Sequence, residues 1–123
     1  IAHPVAQAAG LHLQLKDEGR AHAGYGANPT GSFKDRGMAM VAAQARRLGL
    51  TRLAVPTQGN AGDSLVRYAL AGGLSVVVAM PPDTPAPILA NVARAAAEHP
   101  GRVVLEQAGP TIREAGLLLK AQY

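Results

Sequence analysis

Alternating strand and helix patterns are the feature that most limits what this chain can fold into. Predicted strands lie at 52–56, 75–80 and 102–106, and predicted helices lie at 32–48, 60–71, 85–98 and 111–120. Short connections between such elements favour right-handed βαβ units, in which helices cover a parallel sheet. The strand at 75–80 is apolar without alternation, which predicts burial on both of its faces. We therefore predict an α/β fold with three αβα layers and a short parallel sheet.

Composition excludes several kinds of site. The chain has 123 residues and no cysteine, which predicts one domain core without disulfides, cysteine-bound metal or a thiol nucleophile. Its four histidines have no spacing that would gather a metal ion. No apolar run approaches the roughly 18 to 20 residues that a membrane span requires. We expect a cytoplasmic protein with no membrane partner and no bound metal.

The charge balance does not indicate a nucleic-acid partner. The net charge is +4, but the basic residues are spread along the chain and only Arg46 and Arg47 are adjacent. Aromatic residues make up 3% of the chain, which is too few for a surface on which bases could stack. Small molecules that carry phosphate are the favoured acidic partners.

The segment 28–37 places a lysine in the opening turn of a predicted helix. Its sequence is Asn-Pro-Thr-Gly-Ser-Phe-Lys-Asp-Arg-Gly, and Lys34 falls where the helix dipole is positive and disfavours a cation. This placement favours the neutral amine, which can attack a carbonyl and hold a Schiff base, while nearby N–H groups suit an anion. Phe33 could stack on a flat ring. The alternative is a solvated lysine balanced by Asp35, which is spaced from Ser32 as in a capping box.

The segment 57–62, Thr-Gln-Gly-Asn-Ala-Gly, forms a predicted turn from a strand into a helix. It lies at the carboxyl end of the strand, where ligands bind in open α/β sheets. Gly59, Ala61 and Gly62 let a ligand approach the backbone, and Asn60 can both donate and accept hydrogen bonds. The alternative is a simple helix start in which glycine serves tight packing.

Taken together, the two segments resemble the threonine synthases, which are fold type II pyridoxal-phosphate enzymes. The similarity continues through 68–69, 71–74 and 80–85. It implies pyridoxal 5'-phosphate as cofactor, a small amino-acid substrate, and a lyase that converts O-phosphohomoserine and water to threonine and phosphate. A serine/threonine dehydratase or a cysteine synthase of the same fold type is the runner-up. A non-catalytic interaction module or pseudoenzyme fragment is the alternative from another class.

The resemblance also implies roles for individual residues. Lys34 would be the catalytic residue and hold the cofactor as a Schiff base, Asn60 would hydrogen-bond the cofactor's phenolic oxygen, and Phe33 would lie against its ring. The loop that would receive the substrate carboxylate consists of Thr57, Gln58, Gly59, Asn60 and Ala61. Departures from similar sequences at Gln58 and Arg67, and an apparent insertion at 21–27, leave the substrate open.

Two parts of the chain are distinguished by the same resemblance. Residues 1–31 would supply a strand at 11–16, which would pair with a second domain, and a glycine-rich loop leading into the site. Residues 32–123 would form an incomplete α/β small domain. Such enzymes take their phosphate-binding cup from a later domain, so we expect these 123 residues alone to be inactive. Self-association into a homo-oligomer is compatible with the sequence.

Overall fold

The computed structural model describes residues 7–10, 17–19 and 26–123. The predicted strand at 11–16 and most of the 21–27 insertion lie outside the described residues. From residue 26 onward, the elements follow one another as α1 (Lys34–Arg47), β1 (Arg52–Pro56), α2 (Asn60–Ala71), β2 (Ser75–Met80), α3 (Ala86–Glu98), β3 (Val103–Gln107) and α4 (Ile112–Gln122). These bounds confirm the predicted order, and each differs from its prediction by at most two residues.

The strands form one three-stranded parallel sheet in the order β1-β2-β3. The register pairs Val55 with Val78 and Val78 with Leu105. Because neighbouring parallel strands are joined by crossovers of one hand, α2 and α3 lie on the same face of the sheet. Helix α4 contacts β1 and β2 and packs on a separate apolar cluster. The sheet therefore lies between two helical layers, which confirms the predicted αβα architecture.

Strand β2 joins the two halves of the core. Val76, Val78 and Met80 belong to the cluster shared with α1, α2, α3 and β3. Val77 and Ala79 alternate with them and pack on α4. None of these five side chains is more than 1% exposed, so the predicted burial of this strand on both faces is correct.

Apolar residues at helical spacing predict a stripe along one side of α1. The stripe comprises Met38, Val41, Ala42, Ala45 and Leu48. Ala42 and Ala45 are buried, but Val41 is 41% and Leu48 62% exposed, so the prediction was wrong for those two residues. The reason is that α1 packs beside α2 with Ala42 and Ala45 in the shared core, while Leu48 lies beyond the end of the helix.

Two kinds of feature are missing from the part of the chain that the structure describes. No helix among these residues combines the length and apolar character needed to cross a membrane. Over the same ranges, no three His, Cys, Asp or Glu side chains are grouped so that they could hold a metal ion.

Candidate functional site

The loop after β1 is fixed at the carboxyl edge of the sheet. The Thr57 N–H donates to the Ala79 carbonyl at 2.9 Å, which ties the loop to the end of β2. The Thr57 hydroxyl donates to the Gly59 carbonyl at 3.2 Å and accepts from the Gly59 N–H at 3.3 Å. Thr57 is 5% exposed. A buried threonine therefore sets the backbone path into α2.

Helix α2 begins unusually close to the sheet because its third residue is Gly62. A Cβ atom at this position would lie closer than 3.0 Å to Thr57 Cγ2, 3.1 Å from Val78 Cγ1 and 3.2 Å from Met80 Cε. Glycine is therefore required for close packing here. This agrees with the alternative given above, a helix start in which glycine serves tight packing. Of the predicted carboxylate loop, Gln58, Gly59 and Ala61 are half-buried and Asn60 is exposed.

The start of α1 presents Lys34 and Phe33 to solvent. Lys34 is the first residue of the helix, and its N–H donates to the Ser32 hydroxyl at 3.2 Å. Lys34 Nζ lies 4.5 Å from the centroid of the Phe33 ring, within the range of a cation–π contact. Phe33 is 70% exposed. A primary amine and an aromatic face are therefore adjacent and accessible at a helix N-terminus.

Asp35 has a different role from the one its spacing predicts. In a capping box its carboxylate would accept the Ser32 N–H, whereas here it accepts the Thr30 N–H at 2.9 Å and the Thr30 hydroxyl at 2.8 Å. It also accepts a hydrogen bond from the Ser64 hydroxyl. Asp35 is 1% exposed. Instead of balancing a solvated lysine, this carboxylate is buried between α1 and α2.

The Asp35–Ser64 hydrogen bond brings the starts of α1 and α2 together. Ser64 lies one turn after Asn60, so the first turn of α1, which carries Lys34, lies beside the beginning of α2. Sequence reasoning missed both Asp35 and Ser64 as members of this site. The available signal was the polar Ser64 next to the apolar pair Leu65 and Val66. Because both residues begin helices that follow loops, the sequence predicts that Lys34 and Asn60 come close at the carboxyl edge of the sheet, and this stays a prediction.

Residues 17–19 lie beside the start of α1. The Asn28 N–H donates to the Glu18 carbonyl at 3.0 Å. The Glu18 carboxylate is 4.0 Å from the Arg36 guanidinium. This short stretch of the N-terminal part is therefore adjacent to the helix that carries Lys34.

Arg67, one of the departures from similar sequences, lines a groove outside this loop. The groove has a volume of about 550 Å³ and runs between α2 and α3. Its lining includes Thr30, Arg67 and Arg94, whereas Lys34 and Asn60 do not contribute to it. The connection of Arg67 to the site is electrostatic, because its positive charge lowers the pKa of Asp35.

The ionisation of Asp35 makes the stability of the domain sensitive to acid. Burial raises the pKa of Asp35, but hydrogen bonds from Ser64 and Thr30 outweigh it and leave the pKa below its ordinary value of 3.8. A folded-state pKa below the unfolded one gives stability that is present above the ordinary pKa and lost as pH falls. We expect urea-unfolding free energies to decrease below about pH 4, and Asp35→Asn to reduce that decrease. An equal decrease in wild type and Asp35→Asn would contradict the assignment.

A family model and curated relatives match this chain. The model described as pyridoxal-phosphate dependent enzyme matches residues 2–119. A threonine synthase of Methanosarcina acetivorans is 45% identical over 56 residues, which are 46% of this chain and 14% of that protein. A threonine synthase of Mycobacterium leprae is 37% identical over 82 residues, or 66% of this chain and 21% of that protein. The matched part thus spans between a seventh and about a fifth of these relatives.

Solved structures share the fold. An O-acetylserine dependent cystathionine beta-synthase from Helicobacter pylori superposes with a TM-score of 0.65 at 22% identity, covering 77% of this chain and 31% of that one. A cystathionine beta-synthase from Bacillus anthracis gives a TM-score of 0.61 at 25% identity, covering 77% of this chain and 36% of that one. The αβα layers described above are therefore a portion of a larger known architecture.

Proposed function

Because this chain belongs to the family of pyridoxal-phosphate dependent enzymes, we propose that Lys34 holds the cofactor in a lyase of the threonine synthase type. The observation that carries the proposal is the exposed pair of Lys34 and Phe33 beside the start of α2. The reaction proposed is the conversion of O-phosphohomoserine and water to threonine and phosphate. The names of the curated relatives support this choice within the family.

The side chains at this edge fit the chemistry of pyridoxal phosphate. Lys34 offers an amine for the cofactor's aldehyde, Phe33 an apolar face for its ring, and Asn60 an amide for its hydroxyl. The N–H groups at the starts of α1 and α2 favour an anionic group nearby. When bound, the cofactor supplies an electron sink for a carbanion formed on an amino acid.

The chain's own residues then bind, orient and transfer protons. Lys34 Nζ would hold the cofactor and, with its amine free, would accept and return protons at the substrate. The loop 57–61 would receive the substrate carboxylate, because the space beside Gly59 is open and the loop leads into the N-terminus of α2. Thr57 holds that loop in place through its two hydrogen bonds to Gly59.

A second domain completes the site in this proposal. Residues 32–123 act as the small domain, residues 1–31 lead into the site, and the cup for the cofactor phosphate lies elsewhere. Exposed charge interactions at two helix starts contribute no more than about 1 kcal/mol to phosphate binding. We therefore expect the 123-residue chain to bind pyridoxal phosphate weakly and to release no phosphate from O-phosphohomoserine. Micromolar binding with threonine formation would show that the second domain is dispensable.

The site of covalent attachment tests the proposal. The chain is mixed with excess pyridoxal phosphate, reduced with borohydride and mapped by peptide mass spectrometry. We expect Lys34 to be labelled in preference to Lys120, which is exposed on α4. Lys34→Arg should remove this label, whereas Lys120→Arg should leave it unchanged. Equal labelling of both lysines would contradict the proposal and favour a non-catalytic module.

A sulfur-amino-acid synthase such as cysteine synthase is the second candidate. The superposition on the Bacillus anthracis cystathionine beta-synthase favours it. An enzyme containing this chain and its second domain, assayed with O-phosphohomoserine and with O-acetylserine plus sulfide, distinguishes the two. Phosphate release supports the first candidate, and acetate release supports the second.

A further inference from the structure

Asp35 and its neighbour Lys34 have opposite surroundings. Lys34 is exposed, whereas Asp35 is 1% exposed and lies at the start of the same helix. The proposed chemistry uses Lys34 and assigns nothing to Asp35. A buried carboxylate next to the reactive lysine therefore needs its own explanation.

Three segments meet at the Asp35 carboxylate. Oδ2 accepts the Thr30 N–H at 2.9 Å, and Oδ1 accepts the Thr30 hydroxyl at 2.8 Å. Oδ1 also accepts from the Ser64 hydroxyl, 29 residues away on α2. Ser64 is 0% exposed, so this contact is shielded from water. The carboxylate thus joins the loop before α1, the first turn of α1, and α2.

Resting on the proposed function, we infer that Asp35 is a positioning residue that holds Lys34 at a fixed place relative to Asn60. Asn60 and Ser64 are four residues apart in α2 and so lie on the same side of that helix. Fixing Asp35 on Ser64 fixes the neighbouring Lys34 against the turn that begins with Asn60. The Thr30 contacts stop the first turn of α1 from fraying away from α2.

The charge of Asp35 makes this arrangement unambiguous. An ionised carboxylate only accepts hydrogen bonds, so Thr30 and Ser64 must both donate. Arg67 on α2 also lowers the pKa of Asp35, and the Asp35 charge, after burial, raises the pKa of Tyr68. At neutral pH the Asp35 carboxylate and its three donors therefore have one hydrogen-bonding pattern.

Single-hydroxyl variants test the inference without removing the charge. Ser64→Ala removes the hydrogen bond from α2 to Asp35. Thr30→Val removes one donor to Asp35, whereas Thr30→Ser retains it. Val92→Ala, in the core on α3, is the control for general loss of stability, because Val92 is 0% exposed and belongs to the apolar core cluster. Each variant is confirmed as folded by circular dichroism before use.

The first readout is the ratio of Lys34 to Lys120 labelling by pyridoxal phosphate and borohydride. We expect Ser64→Ala to lower the ratio toward one, because a misplaced Lys34 loses its advantage over an exposed lysine such as Lys120. Thr30→Val should lower it less, and Thr30→Ser and Val92→Ala should match wild type. An unchanged ratio in Ser64→Ala, or an equal decrease in Val92→Ala, would overturn the inference.

The second readout is amide hydrogen exchange in the first turn of α1, which does not depend on the cofactor. Ser64→Ala should accelerate exchange at 34–37 while β2 stays protected, since local opening reports local contacts. If wild type shows no preference for Lys34, the proposed function is wrong, and exchange alone decides whether Asp35 fixes this turn. Unchanged exchange at 34–37 would then reject the positioning role.

Discussion

Replacing Gly62 with alanine is expected to lower the free energy of unfolding by about 3 kcal/mol, the upper end of the usual cost of adding a carbon atom to a packed core. The added Cβ would lie closer than 3.0 Å to Thr57 Cγ2. Thr57 cannot turn aside easily, because it is β-branched and its hydroxyl is bound to Gly59. Urea unfolding followed by far-ultraviolet circular dichroism measures the loss, since the chain contains no tryptophan.

Two further variants test the cause of that loss. Gly37 lies in α1, where an added Cβ meets nothing within 4 Å, so Gly37→Ala should raise stability by up to about 1 kcal/mol. The double variant Thr57→Ser/Gly62→Ala removes the clashing methyl group and should recover part of the loss. A Gly62→Ala protein as stable as wild type would show that α2 can move away from the sheet.

Replacing Asp35 with asparagine is also expected to lower the free energy of unfolding substantially. The substitution keeps the shape of the side chain but leaves one of its partners, Thr30 or Ser64, without a suitable acceptor. A buried donor without an acceptor costs about 1–3 kcal/mol, a large fraction of the roughly 5–15 kcal/mol that stabilises a domain. Urea unfolding at pH 7 measures the change.

Asp83→Asn is the matched control for the loss of one negative charge. Asp83 is exposed in the turn before α3, and such surface changes alter stability by less than about 0.5 kcal/mol. A decrease at Asp35→Asn no larger than at Asp83→Asn would mean that the buried hydrogen bonds contribute little. Asp35→Ala should cost more than Asp35→Asn, since it leaves all the donors at Thr30 and Ser64 unpaired.

The candidate site was only partly predictable from sequence. Lys34 lies in the first turn of α1 and Asn60 at the first position of α2, as the sequence predicted. Asp35, by contrast, was interpreted through its near neighbours Ser32 and Lys34. Its carboxylate is bound by Thr30, five residues back, and by Ser64, 29 residues ahead. A pattern of local spacing carries no information about such a distant partner.

By itself, the sequence of this protein determined the order of its strands and helices and the burial of β2. Those features follow from local periodicity, because an unbroken apolar strand such as 75–80 is stable only when both faces are covered. Only the tertiary structure decided which side of α1 packs against α2. Packing of α1 beside α2 leaves Val41 and Leu48 exposed, and it buries Asp35 against Ser64. The physical reason is that such contacts depend on how finished elements fit together in space, which residue spacing along one helix does not specify.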